Sequence, residues 1–289
     1  MRDTRSNAPF PGPKRHHFVP RMLQKRFVDS EGYLYACNRE QVAQDVYRAR
    51  PENLFVRTHF YSEINQDGRR EPRTEKRLST LEHAANSVIE LIVTAARAGV
   101  PPALSERQLD IWYHFLTLQW RRVPDLSETP EHRAMGEEIF ADVIAEARVR
   151  FPKYIEQIDR LNEPPARNRL IHNSRLESLG ISSIVLEALR FRGLAILRVD
   201  SPKKQFILAS RPVIKLTHPG KTDLRHPECE SWLAVAPDIA LGLGLGANQI
   251  SLHGISAENV RYLNLCAAQQ SQTIASSSAN LIRSIARPR

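Results

Sequence analysis

The sequence predicts an α+β fold, and three observations carry that expectation. The middle of the chain holds long stretches with apolar residues at helical spacing. The C-terminal third holds short, apolar, β-rich runs separated by Pro, Lys and Gly. The order is a small αβ corner, a helical block, a sheet and a closing helix, which segregates helices from strands instead of alternating them.

The elements follow from local signals. Residues 1–15 are rich in Pro, Arg and Asn without periodicity, so a flexible basic arm is expected there. Pro20 favours the start of a helical turn that turns Met22, Leu23 and Phe27 inward. "YLYAC", residues 33–37, reads as a strand, and "ENLFVRTHFYSE", residues 52–63, as a looser extended segment. From Arg73 to Ala98, Leu78, Leu81, Ala85, Val88 and Ile92 recur on one helical face, until Gly99 ends the helix and Pro101 prevents its continuation. "SERQ", Ser105 to Gln108, is a capping box opening a helix that Pro124 stops. A further helix is expected over Glu131 to Arg150, with shorter pieces at 152–161 and 181–190. "LAILRV", "QFILAS", "PVIKL", "SWLAVA" and "IALGLG" suggest an antiparallel sheet. Ser256 caps a closing helix from Ala257 to about Gln270, with Val260, Leu263 and Leu265 on its apolar side. A single domain over 16–289 is expected, its helical block at about 71–190 and its sheet and last helix at about 191–289.

Composition narrows the function classes. Of 289 residues, 42% are hydrophobic and 25% charged, enough to bury a core, so wholesale disorder is excluded. No apolar run approaches the ~18 residues a membrane helix needs, and no apolar segment follows the first residues, so neither membrane span nor signal peptide is expected. Cys37, Cys229 and Cys266 are far apart and form no CxxC pair, which suits a reduced, cytoplasmic setting. The net charge of +9 is uneven: residues 1–30 hold seven Lys or Arg against two Asp, and residues 187–225 hold nine against three acids. Clustered cations attract phosphate backbones, so Lys14, Arg15, Arg21, Lys25 and Arg26 are candidate nucleic-acid contacts. The oligomeric state is not readable from these patterns.

The densest chemistry lies in "KRHHFVPR", residues 14–21. His16 and His17 are adjacent in an extended segment, so their rings face opposite sides. One ring is expected to face a pocket and the other to brace the corner. Glu75 and Glu82, seven apart, share one helical face and could join His83 and an N-terminal imidazole around a metal. The plainer alternative makes them solvated helix charges, with Glu75 favoured near a helix N-terminus. Gln119 and Arg122, on "LQWRRVP", are expected to be structural, with Arg122 pairing to a carboxylate such as Glu82. "GLGLG", residues 242–246, lacks the lysine of a phosphate loop, and no GxSxG elbow exists.

Spread along the chain, "KRHHFVPRMLQKRF", "NLFVRTHFY", "EKRLSTLE", "LQWRRVP", "FILASRPV", "WLAVAPDIALGLG" and "NVRYLNLCAAQQS" resemble the motifs of a microbial family, domain of unknown function 4238. The resemblance implies a fold and architecture and supplies no settled mechanism. Where that family's strand ends in Ser-Asp-Asn-Pro-Val, Ser210 stands in the place of the Asp. The HHFVP stretch is also similar to the first motif of the ββα-metal, or HNH-type, nucleases. That likeness implies His17 as the base, Asn53 orienting its ring, His59 and His16 as ligands, and Arg15 and Arg21 on phosphate. The expected activity is a metal-dependent nuclease, in phage or stress defence. Its catalytic residues would be His17, His16 and Glu82, and a divalent Mg or Mn would be held by Glu75, Glu82 and His59. The alternative is a non-enzymatic nucleic-acid-binding or protein-interaction module in which HHFVP is a structural corner.

Overall fold

A computed structural model describes residues 12–41, 45–217 and 223–286. Most of the expected arm, residues 1–11, lies outside the described residues. In chain order the elements are β1 (Arg15–His17), α1 (Arg21–Gln24), β2 (Leu34–Asn38), β3 (Tyr47–Ala49), β4 (Val56–Thr58), β5 (Glu63–Ile64), β6 (Arg70–Glu71) and α2 (Arg73–Arg97). Then come α3 (Glu106–Arg121), α4 (Pro124–Ser127), α5 (Pro130–Arg150), α6 (Ile155–Asn162), α7 (Pro164–Glu177) and α8 (Ser183–Arg192). The last part holds β7 (Leu194–Val199), β8 (Leu208–Ala209), β9 (Val213–Thr217), β10 (Cys229–Ala236), β11 (Ile239–Leu243), β12 (Ile250–Ile255), α9 (Ala257–Gln269), β13 (Thr273–Ser276) and α10 (Ala279–Ala286). The fold is α+β.

The chain forms two compact units. The first takes Met1–His16, Arg57–Ser79 and Glu128–Leu179; the second takes His17–Val56, Thr80–Ser127 and Gly180–Arg289. The chain therefore passes from one unit to the other inside α2.

The first unit is built on α5, α6 and α7, with Ile144, Ile158 and Leu176 buried among them. Polar side chains of α7 fix the extended segment at 60–64. Asn173 mimics a strand partner: its Oδ1 accepts from the Ile64 amide at 3.0 Å and its Nδ2 donates to the Ile64 carbonyl at 2.8 Å. His172 Nε2 bonds the Ser62 carbonyl at 2.8 Å, and Arg175 donates to the Phe60 carbonyl at 2.6 Å.

The second unit holds the main core, where Ala85, Ile89 and Ile92 of α2 meet Trp112, Phe115 and Leu116 of α3 and Ile196, Leu233 and Leu241 of a five-stranded sheet. The helix boundaries are set locally. Gly99, at φ +80°, takes the left-handed conformation that closes α2, and the Ser105–Gln108 capping box opens α3. The sheet order is β12-β7-β11-β10-β9, antiparallel from β7 to β9. The edge strand β12 runs parallel to β7. With β11 already flanked by β7 and β10, a strand reversing after β11 finds only the outer edge of β7, and reversal makes it parallel there. "QFILAS" contributes only β8, and that to a separate four-stranded sheet ordered β3-β2-β13-β8. Gly242 explains part of "GLGLG": a Cβ there would collide with the Trp232 ring and the Ser231 carbonyl, so glycine makes room for packing.

Arg192 ties the sheet's loops together. It is 2% exposed, and its guanidinium donates to the carbonyls of Gly244 (2.7 Å), Leu224 (3.0 Å), His226 (2.6 Å) and Cys229 (2.9 Å). Gly244, Leu224 and His226 lie outside the strands and Cys229 opens β10, so a lost donor leaves buried oxygens unsatisfied there. Arg192→Met keeps the stem and removes the donors, so it is expected to cost about 3 kcal/mol in a denaturant titration. A loss below about 0.5 kcal/mol would show that water replaces the guanidinium.

Candidate functional site at the HHFVP corner

The corner is divided between the two units, and each part has its own chemistry. In the first, β1 shows alternating burial, with Arg15 exposed and His16 at 0% exposure. The Tyr61 amide donates to His16 Nδ1 at 2.7 Å, and His16 Nε2 lies 2.7 Å from the Pro13 carbonyl. An amide N–H can only donate, so Nδ1 carries the lone pair and Nε2 the proton. That fixes a neutral tautomer with both nitrogens engaged. The ring also stacks on Tyr61, centroids 5.6 Å apart and planes 3° apart. Glu75 approaches Nδ1 at 3.9 Å, beyond hydrogen-bond range.

His59 stands beside this ring at 6.5 Å between centroids, edge-on. Its backbone is left-handed at φ 55°, unusual for a residue other than glycine, and its Nδ1 lies 3.3 Å from Ser62 Oγ. Desolvation, then Arg70 and Lys14, lowers the His59 pKa below the usual imidazole value. Burial does the same to His172, against a smaller opposing effect from its bond to the Ser62 carbonyl.

In the second unit, His17 is half-buried and its Nε2 lies 3.1 Å from the Pro51 carbonyl. Arg122 sits at 1% exposure and gathers the corner. It donates to Glu82 at 2.6 Å, to the Phe18 carbonyl at 3.0 Å and to the His17 carbonyl at 3.3 Å. Gln24 donates to the carbonyls of Val19 and Leu54 at 2.8 and 3.2 Å. Phe18, Val19, Leu23 and Phe27 are all buried beneath. Gln119 is also fully buried, and neither end of its amide has a partner.

The fully buried ring is thus His16, in the bracing role, while His17 is half-buried with its Nε2 at the Pro51 carbonyl. Alternation along β1 allows only one ring inside, and the Tyr61 amide, the Tyr61 ring and the Pro13 carbonyl all receive His16. The nuclease likeness placed Asn53 as the partner of His17; Asn53 is exposed, and His17 Nε2 lies 3.1 Å from the Pro51 carbonyl. The ligand set drawn from Glu75, Glu82 and His59 does not assemble. Among the described residues no three His, Cys, Asp or Glu side chains converge to hold a metal ion. Glu82 is committed to Arg122, and His83 is exposed.

The basic cluster divides as well. Arg21 pairs with Glu52, and Arg26 with Glu90 at 2.7 Å and Asn86 at 3.1 Å. Lys14, Arg15 and Lys25 are exposed. Ser210, in the place where the resemblance expects an Asp, donates to Asp125 Oδ2 and accepts from the Gln272 and Thr273 amides at 3.1 Å each. Asp125, His172 and Tyr61 have no readable signal in the sequence, because each acts on groups far away in the chain: Asp125 on Ser210 and the Gln272 amide, His172 on the Ser62 carbonyl, Tyr61 on the His16 ring.

The profile of a family described as "Protein of unknown function (DUF4238)" matches residues 15–278. No curated protein and no solved structure matches the chain. Among the described residues no helix is long and apolar enough to cross a membrane.

Two outcomes follow from the ring geometry. His16→Ala, which removes a stacked ring and two buried hydrogen bonds, is expected to cost about 3 kcal/mol. His17→Ala, half-buried with one bond, is expected to cost about 1 kcal/mol. Urea titration reads both, and equal or reversed losses would contradict the assignment of the inward ring. The pH dependence has a definite sign. His59 and His172 have folded pKa values below the usual 6.5, so the unfolded chain binds their protons first. Their contribution is fully present above pH ~6.5 and is lost as pH falls below it. Unfolding temperature should therefore fall between pH 7 and pH 5, and His172→Gln should flatten that slope.

Proposed function

The chain belongs to the DUF4238 family, and we propose that it is a non-enzymatic nucleic-acid-binding protein whose HHFVP stretch is a structural corner. One observation carries the binding. Lys14 and Arg70 of the first unit are exposed and make no ion pair among the described residues, and both are charge neighbours of His59, whose pKa is lowered by burial first and by these cations after it. Uncompensated cations on an exposed face attract a phosphate backbone through counterion release. Catalysis by His16 as a general base is disfavoured on chemical grounds. A general base needs an accepting nitrogen aimed at the proton it removes. His16 spends its accepting nitrogen on the Tyr61 amide.

Fluorescence anisotropy with mixed-sequence single- and double-stranded oligonucleotides tests this. Binding is expected at 50 mM salt and should weaken steeply towards 200 mM. Lys14→Glu with Arg70→Glu should weaken binding on the order of tenfold or more and lower the salt slope by about two. Both side chains are exposed, so the fold should be unaffected. A folded protein that binds nothing at 50 mM salt would refute the proposal. Metal-dependent cleavage that His17→Ala abolishes would instead restore the nuclease reading.

A further inference from the structure

A cavity of about 460 Å³ lies within the second unit, between the turn at 202–205, α9 and α10. Lys203 and Lys204 border it from the turn, Arg261 from α9, and Asn280 and Ser284 from α10. No carboxylate lines it. None of the three cations makes an ion pair or side-chain hydrogen bond among the described residues. Elsewhere on this unit several exposed arginines are matched: Arg97 with Asp238, Arg190 with Asp110, Arg283 with Asp45, each within 3.2 Å. Leaving three cations unmatched around one hollow costs mutual repulsion, which a bound anion would relieve.

The fold also holds that hollow open. Asn264 of α9 is 3% exposed. Its Oδ1 accepts from the Ile207 amide at 3.1 Å and its Nδ2 donates to the Gln205 carbonyl at 2.9 Å. The far side of the turn is held by Ser277 Oγ, 3.2 Å from Gln205 Oε1. The two lysines therefore hang from a turn stapled to α9 and to the segment leading into α10. Val260, Leu281 and Ile285 supply an apolar side to the same space. Cations, amide and hydroxyl donors, and an apolar wall in one cavity describe a small molecule with a strongly anionic end and a less polar body.

We propose that this cavity binds a phosphate-bearing ligand of nucleotide size, with Lys203, Lys204 and Arg261 on the phosphate and the apolar wall against the remainder. It is separate from the basic face around Lys14 and Arg70 and does not depend on that face binding nucleic acid. The phosphate could belong to a free nucleotide or to the phosphorylated end of a nucleic acid.

Calorimetric titration with the full chain at low salt distinguishes these. The probes are pyrophosphate, a mononucleotide, and one oligonucleotide prepared with a 5′-phosphate and with a 5′-hydroxyl. Pyrophosphate should bind the wild-type chain. Lys203→Glu with Arg261→Glu should weaken it on the order of tenfold or more, as expected when two charge-assisted contacts reverse. Lys204→Glu alone provides an independent variant on an exposed side chain. A mononucleotide that outcompetes both oligonucleotides identifies a free nucleotide; a phosphorylated oligonucleotide that outcompetes its hydroxyl form identifies a nucleic-acid end. Binding of the hydroxyl form by the chain carrying Lys203→Glu and Arg261→Glu would separate this cavity from the basic face. No heat with pyrophosphate, or equal affinity in folded variants, would overturn the assignment.

Discussion

A buried guanidinium organises the corner on which the rest depends. Removing Arg122 from water is expensive unless its donors all find acceptors. It meets that condition by taking one carboxylate, Glu82, and two main-chain carbonyls, those of His17 and Phe18. The need is mutual. HHFVP starts in β1 and is buried from Phe18 onward, and the carbonyls of residues 17, 18 and 19 accept from side chains. Arg122 and Gln24 supply those donors in turn for residues 17, 18 and 19. The carbonyls of His17 and Phe18 and the distant "LQWRRVP" are thus parts of one hydrogen-bonding problem. Either partner alone would be costly: a bare Arg122 would be an unpaired buried charge, and a bare corner would hold orphaned oxygens.

That account also says which parts of the molecule are legible in its sequence. Helices α2, α3, α5 and α9 are readable because their signals are local. Gly99 and Pro101, the Ser105–Gln108 box, Thr129 before Pro130 and Ser256 each act within one turn of their own position. A charge pair such as Arg122 with Glu82 is also within reach, because helical spacing limits which faces can meet. The choice between His16 and His17 is not. Strand alternation says that one ring is inside, but the answer is set by Tyr61, 45 residues on. Helix α7 is hidden for a related reason. Its working residues, His172, Asn173 and Arg175, are polar and serve backbone groups near residues 60–64, so they leave no apolar stripe to read.

The same distinction applies to charge. Counting cations finds the clusters but not their state. Arg21 and Arg26 belong to the most basic stretch of the chain, yet each is spent on a nearby acid. Lys203 and Lys204 look like an ordinary solvated pair until the fold brings Arg261 to the same hollow and brings no acid with it. Ser210 shows the converse. Read alone, it is a lost carboxylate; in the structure a carboxylate is supplied to it by Asp125 from another element.

The central claim is that the HHFVP corner is a structural device, with His16 held neutral and fully engaged. Nitrogen-15 NMR of the labelled imidazole rings tests this most directly. The account predicts that His16 shows a protonated Nε2 and an accepting Nδ1 while the protein stays folded. A His16 ring that carries its proton on Nδ1, or on both nitrogens, at neutral pH would contradict it.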